Sequence, residues 1–283
     1  MKKALKWTGI GLASLVALII ILSLLFYFPP FQNWAVRQAA RVASEKTGMT
    51  VTVDNVRLAF PLDLSLNGVK MMEPNDSIKG KTDTVADVRS LVVSVEFMPL
   101  LKKQVMVDDL SLLQAKVNTT HFISNVRISG KVGRLKVRAH GIDLSREHVR
   151  VNSAILADAD INVALADTAK RDTTPSQNFW KINLDNVKIS NTAFALQTPG
   201  DTIGVAMRMD EGKAQGVFMD LYKSLYSARH IDWQGGWVTF DQTFRPRTQG
   251  IDPNHLALSN LSLSADSFLF CSPQLRLVLR SAS

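Results

Sequence analysis

The stretch VTVDNVRL, residues 51–58, places apolar side chains at Val51 and Val53, polar ones at Asp54 and Asn55, then apolar ones again at Val56 and Leu58. Successive side chains of a β-strand point to opposite faces, so this alternation misses one step in the middle. An inserted residue turns the second half of a strand over unless a bulge absorbs it, and with a bulge both halves serve one face. The same skip recurs in VMVDDLSL (Val105, Val107, Leu110, Leu112), INLDNVKI (Ile182, Leu184, Val187, Ile189) and LALSNLSL (Leu256, Leu258, Leu261, Leu263). HFISNVRI keeps all but its first apolar position. The repeat predicts a strand, bulge, strand unit; the alternative is a set of unrelated strand-to-turn transitions with Asp and Asn in the turns.

Between these units the period stays at two. PLDLSLNGV puts Leu62, Leu64 and Leu66 on one face against Asp63, Ser65 and Asn67, and LVVSVEF does the same with Leu91, Val93, Val95 and Phe97, Val92 being the exception. The chain from residue 49 to 283 is therefore expected to be mainly β, built from one-sided strands in an antiparallel sheet. Polar breaks at EPNDSIKGKTD, ADTAKRDTTPSQN and QTPGD separate the runs as loops. GVFMDLYKSLYSARHI is compatible with a short helix, but Val217, Met219 and Leu221 alternate and Tyr222 and Tyr226 favour strands. The uneven spacing of the units argues against a fixed-period solenoid. Alternation continues at Leu275, Leu277 and Leu279 with no closing element after it, and we expect the front part of a longer protein.

The N-terminus has a different character. A tail, residues 1–6, carries Lys2, Lys3 and Lys6, and residues 7–28 follow without a charge. At about 1.5 Å per residue this run reaches ~33 Å, enough to cross the hydrocarbon core of a bilayer. Trp7, Phe26, Tyr27 and Phe28 stand at its ends as interface anchors, and the one-sided lysines place the N-terminus in the cytoplasm. No small-residue cleavage site follows, so the run is expected to remain as a signal anchor. Residues 31–48, with prolines before them and Gly48 as a stop, predict a juxtamembrane helix.

Without Lys2, Lys3 and Lys6, 30 basic residues face 25 acidic ones along the chain, too dilute a surplus for nucleic acid. A single cysteine, Cys271, excludes an internal disulfide. His121, His140, His148, His230 and His255 are isolated in sequence and carry no metal-ligand spacing. No nucleophile elbow, triad or phosphate loop is present, so the sequence predicts neither an enzyme nor a cofactor.

The opening segments, FQNWAVRQAARVASEKTGMTVTVDNVRLAFPLDLSLNGV and DVRSLVVSVEFMPLL, resemble the AsmA-like family, and the TamB translocation and assembly proteins in particular. HIDWQGGWVTFDQ and GIDPNHLALSNLSL are similar to strand units that recur in TamB-type proteins. The resemblance implies an elongated, curved antiparallel sheet, a groove that is apolar inside and polar outside, related to bridge-like lipid-transfer proteins. It implies single-pass anchoring in a bacterial inner membrane with the bulk in the periplasm, and phospholipid as the partner. An outer-membrane barrel of the TamA type would be met only through a C-terminal region missing here. Under this expectation Leu62, Leu64, Leu66, Leu91, Val93, Val95 and Phe97 are groove-lining candidates, and lipid conduction between membranes is the function. A scaffold that offers sheet edges to outer-membrane proteins during their insertion is the alternative.

Overall fold

The computed structural model describes residues 30, 34, 37–38, 40–41, 44–45, 48–59, 63–75, 81–96, 106–119, 126–143, 147–165, 180–199, 202–223, 225–271 and 276–279. The expected anchor at 7–28, with Lys2, Lys3, Lys6, Trp7, Phe26, Tyr27 and Phe28, lies outside them. Among the described residues no helix is long and apolar enough to cross a membrane. Of the expected juxtamembrane helix, residues 34, 37, 38, 40, 41, 44 and 45 have helical backbone, too few to define the element. Ser44 links this segment to the sheet: its hydroxyl donates to the Ala40 carbonyl at 2.8 Å and accepts from the Val51 amide at 2.9 Å.

From residue 50 the described residues are mainly β-structure. The strands are β1 (Thr50–Ala59), β2 (Asp63–Pro74), β3 (Thr82–Val95), β4 (Met106–Asn118), β5 (Val126–Asp143) and β6 (His148–Leu165). They continue with β7 (Lys181–Gln197), β8 (Ile203–Asp220), β9 (Leu225–Gln242), β10 (His255–Ser259), β11 (Ser262–Cys271) and β12 (Arg276–Leu279). All twelve belong to one open sheet in sequence order, with β10 and β11 lying end to end along β9. β5, β6, β8 and β9 hold 18 residues each, about 60 Å at the usual rise, where strands of five or six residues are the norm. The ambiguous GVFMDLYKSLYSARHI is strand on both sides of a turn at residues 221–223, which joins β8 to β9.

Two expectations change. The sheet is not antiparallel throughout, because β6 and β7 run parallel, His148 beside Lys181 through to Ala164 beside Gln197. A tight hairpin therefore cannot join β6 to β7. Parallel neighbours need roughly a dozen or more connecting residues, and residues 166–180 meet that length.

The second change concerns the bulges. At Asp54 the ladder passes from Val53 opposite Val69 to Asn55 opposite Asn67, leaving Asp54 and Gly68 unpaired on both strands at once. The same double omission continues through Arg89, Gln114, Gly133, Asp158, Asn191, Asp210 and Gly235. One unpaired residue per strand thus forms a seam from β1 to β9, and it meets Asn260, where β10 gives way to β11. Gly68, Gln114, Asp158, Asn191, Gly235 and Asn260 have φ between 44° and 70°, a left-handed backbone that interrupts the pleat. A second seam, six or seven positions away in sequence, runs through Asp108, Asn152, Asp185, Gly216, Arg229 and Ser267. Four of the units that skip a step in the sequence, at Asp54, Asp108, Asp185 and Asn260, all fall on these seams. At Asp54 the omission is matched on both strands and keeps the register, whereas at Asp108, where Val107 faces Ile142 and Asp109 faces Arg138, the register shifts as a bulge requires.

Candidate functional site: a continuous apolar face and its polar seam

Residues opposite one another in a ladder share a face, so the pairing register assembles the apolar positions into rows. One row crosses ten strands: Val56, Leu66, Leu91, Leu112, Leu135, Leu156, Ile189, Gly212, Trp233 and Leu263. Its neighbour two residues along is Leu58, Leu64, Val93, Leu110, Val137, Ala154, Val187, Ala214, Ile231 and Ala265. No polar residue interrupts either row. At the usual strand spacing each is about 43 Å long. The one missing side chain, at Gly212, is filled by Met209, whose sulfur lies 2.0 Å from where a Cβ would stand.

Beyond the first seam the pattern resumes with Ile161, Phe194, Met207, Val238 and Leu258 in one row. Beyond the second it resumes with Val149, Ile182, Met219, Tyr226 and Phe270, the last two stacked at 6.1 Å between ring centroids. The row between these blocks on the opposite face is polar for much of its length, with Arg57, Ser65, Ser111, Lys136, Lys188, Lys213, Asp232 and Ser264 broken by Val92 and Ile155.

The apolar face is only half covered. Among the described residues no large side chain is fully buried, and the buried apolar set is Val56, Val85, Ala115, Ala139, Val151, Ala159, Ala228 and Ala265. Most of these are small, and Ala115, Ala159 and the buried Thr192 each follow a seam residue directly. The accessible surface is 19609 Å², against about 12,000 Å² for a compact protein of this size.

Of the groove candidates, Leu64 faces Val93 and Leu66 faces Leu91 across β2 and β3, so these four share the two central rows. Val95 pairs with Val107 just past a register shift, and Leu62 and Phe97 lie outside the described residues. The groove candidates lie on β2 and β3 alone, although the same alternation continues through β4 to β11.

The seams are polar ladders. Arg89 donates to the Gln114 carbonyl oxygen at 2.8 Å, Asn191 to the Asp158 carboxylate at 2.8 Å, and Arg208 to the Asn191 oxygen at 2.8 Å. Where an aspartate meets a glycine the fit depends on the missing side chain: a Cβ at Gly68 would lie 2.0 Å from Asp54 Oδ2, and one at Gly235 2.5 Å from Asp210 Oδ2.

On the polar face His230 sits between two carboxylates, with Nδ1 2.7 Å from Asp266 and Nε2 3.0 Å from Asp232, and Asp232 also accepts from Ser264 at 2.8 Å. The Asp266 hydrogen bond, and after it that of Asp232, raises the His230 pKa above its ordinary 6.5. The Ser264 hydroxyl, then His230, holds the Asp232 pKa below the carboxylate norm. A raised histidine pKa contributes stability that is complete below the unfolded value and is lost as pH climbs through the folded one. We expect the His230 ring resonances to titrate in NMR with a midpoint above 6.5, and Asp266→Asn to move it down. A midpoint at or below 6.5 in the unmodified protein would contradict this geometry.

The site is thus a single open sheet whose apolar rows lie between polar seams. The AsmA family matches residues 1–198, more than two thirds of the chain, and the chain belongs to that family. A search of the curated proteins finds no match.

Proposed function

We propose that this protein is an inner-membrane-anchored periplasmic conduit that carries phospholipid towards the outer membrane along the apolar face of its sheet. The observation that carries the proposal is the pair of apolar rows that cross ten strands and stay partly exposed at every member but Val56, Gly212 and Ala265. An acyl chain costs about 0.8 kcal/mol per methylene left in water, so a ~16-carbon tail crossing the periplasm bare meets a barrier of roughly 10 kcal/mol. A continuous apolar strip removes most of that barrier. The seams suit the role, because left-handed residues aligned on β2, β4, β6, β7 and β9 fold a sheet along a line, and small residues beside the line let the apolar face become the inside of a groove. The charge-free run after Lys6 would anchor the groove in the inner membrane, with Lys2 in the cytoplasm.

Photo-crosslinkers at Leu64 and Val93 test the proposal in cells: the expected products are phospholipid adducts at both positions. The open edges of the sheet favour a second reading, in which β1 and β12, each with one strand partner among the described residues, accept strands of outer-membrane proteins. Adducts to protein alone at Leu64 and Val93 would overturn the conduit and favour that scaffold.

A further inference from the structure

Where β1 meets the helical residues before it, a cavity of about 530 Å³ is lined by Arg37 and Arg41 on one side and by Val51, Val53, Asp54 and Val56 on the other. Its size falls in the range of small-molecule sites. Arg37 and Arg41 are both exposed and stand one helical turn apart, and the Arg41 guanidinium is tied to the Gln38 side chain. Asp54 is the first residue of the seam, and its carboxylate occupies the space that Gly68 leaves open. Val56 begins the central apolar row and faces Leu66. The cavity therefore offers two guanidiniums, one carboxylate and an apolar exit onto the long face of the sheet.

Two cations with one anion match a ligand that carries both charges. Guanidinium groups are suited to phosphate oxygens, whose geometry they can meet with paired donors. A carboxylate beside them repels a purely anionic headgroup and accepts from an ammonium that has N–H groups to give. A quaternary ammonium has none, and a glycerol headgroup has no positive charge at all.

We infer that this cavity holds the headgroup of a phospholipid bearing a primary ammonium, its phosphate on Arg37 and Arg41 and its ammonium on Asp54, with the acyl chains laid past Val56 onto the apolar rows. The inference rests on the lipid-conduit reading and names the mouth of that conduit and its preferred substrate.

The test uses the full chain, purified in detergent micelles holding equal amounts of phosphatidylethanolamine, phosphatidylcholine and phosphatidylglycerol. A photo-crosslinking residue replaces either Thr52, which lines the cavity, or Val187, far along the apolar row, and adducts are sorted by mass. At position 52 phosphatidylethanolamine adducts should exceed phosphatidylcholine adducts about tenfold, the worth of one charge-assisted hydrogen bond. Asp54→Asn, which keeps the side-chain shape, should remove the preference, and Arg41→Gln should lower the total yield at 52 about tenfold while leaving that at 187 unchanged. Gly68→Ala, which displaces the Asp54 carboxylate, should act as Asp54→Asn does. Equal capture of the three lipids at 52, or a preference that survives Asp54→Asn, overturns the inference. Lipid at 187 with none at 52 overturns the site and spares the conduit; lipid at neither overturns both.

Discussion

Replacing Leu112 and Leu156 together by glutamate should leave the sheet folded and cut lipid transfer along it by more than tenfold. The two leucines flank Leu135 in the central row, so the substitutions place two carboxylates across the path. Both side chains are partly buried, so each substitution forfeits most of the ~1.5–3 kcal/mol that complete burial of a leucine is worth. The new carboxylates keep water on one side and escape the penalty of a buried, unpaired charge. An acyl chain sliding over them would have to strip that water, at several kcal/mol for the pair. Lipid adducts at Ile189, past the block, should fall more than tenfold, while those at Val93, before it, persist. Circular dichroism should stay strand-dominated. Loss of the folded state would mean that these leucines sit in a packed core, and undiminished capture at Ile189 would mean that lipid takes another route.

The second large effect concerns the sheet itself. Gly236 follows the seam at φ 97°, and a Cβ there would stand 2.0 Å from the Arg208 carbonyl oxygen and 2.7 Å from its carbon. Both atoms are backbone in the β8–β9 ladder, so no rotamer change relieves the collision. Gly236→Val adds a β-branched side chain in a left-handed conformation to that clash, and should cost at least about 3 kcal/mol. For a chain of this size the melting temperature should drop by roughly 6–12 °C. Gly204, also in β8, supplies the control: a Cβ there meets nothing within 4 Å. Gly204→Val should therefore melt within a degree or two of the unmodified protein. Equal melting of the two variants would refute the close approach of β8 and β9 at the seam.

Much of this architecture was legible in the sequence. Period-two alternation at Leu64 and Leu66, or at Leu91 and Val93, reports which face a strand buries, because side-chain direction depends only on neighbours along the chain. The skipped step at Asp54, Asp108, Asp185 and Asn260 is equally local, since an inserted residue must show itself as a break in the alternation. Other seam members left no such mark. Arg89, between Val88 and Ser90, and Gln114, between Leu113 and Ala115, are single polar residues that mark no break by themselves, and Gly133 or Gly235 alone reads only as a weak point in a strand. The parallel pairing of β6 and β7 was hidden for a related reason: a polar connection looks the same whether it turns back or crosses over.

What the chain determined by itself is the strand content, the apolar face of each strand and several places where the pleat breaks. Only the tertiary structure decided that those breaks fall in line across the sheet, that Asp54 lies over Gly68 and Asn191 reaches Asp158, and that short apolar runs join into rows crossing ten strands. The physical reason is the range of the forces involved. Side-chain alternation is fixed within two residues, whereas register comes from hydrogen bonds between strands that close only when the whole sheet has assembled.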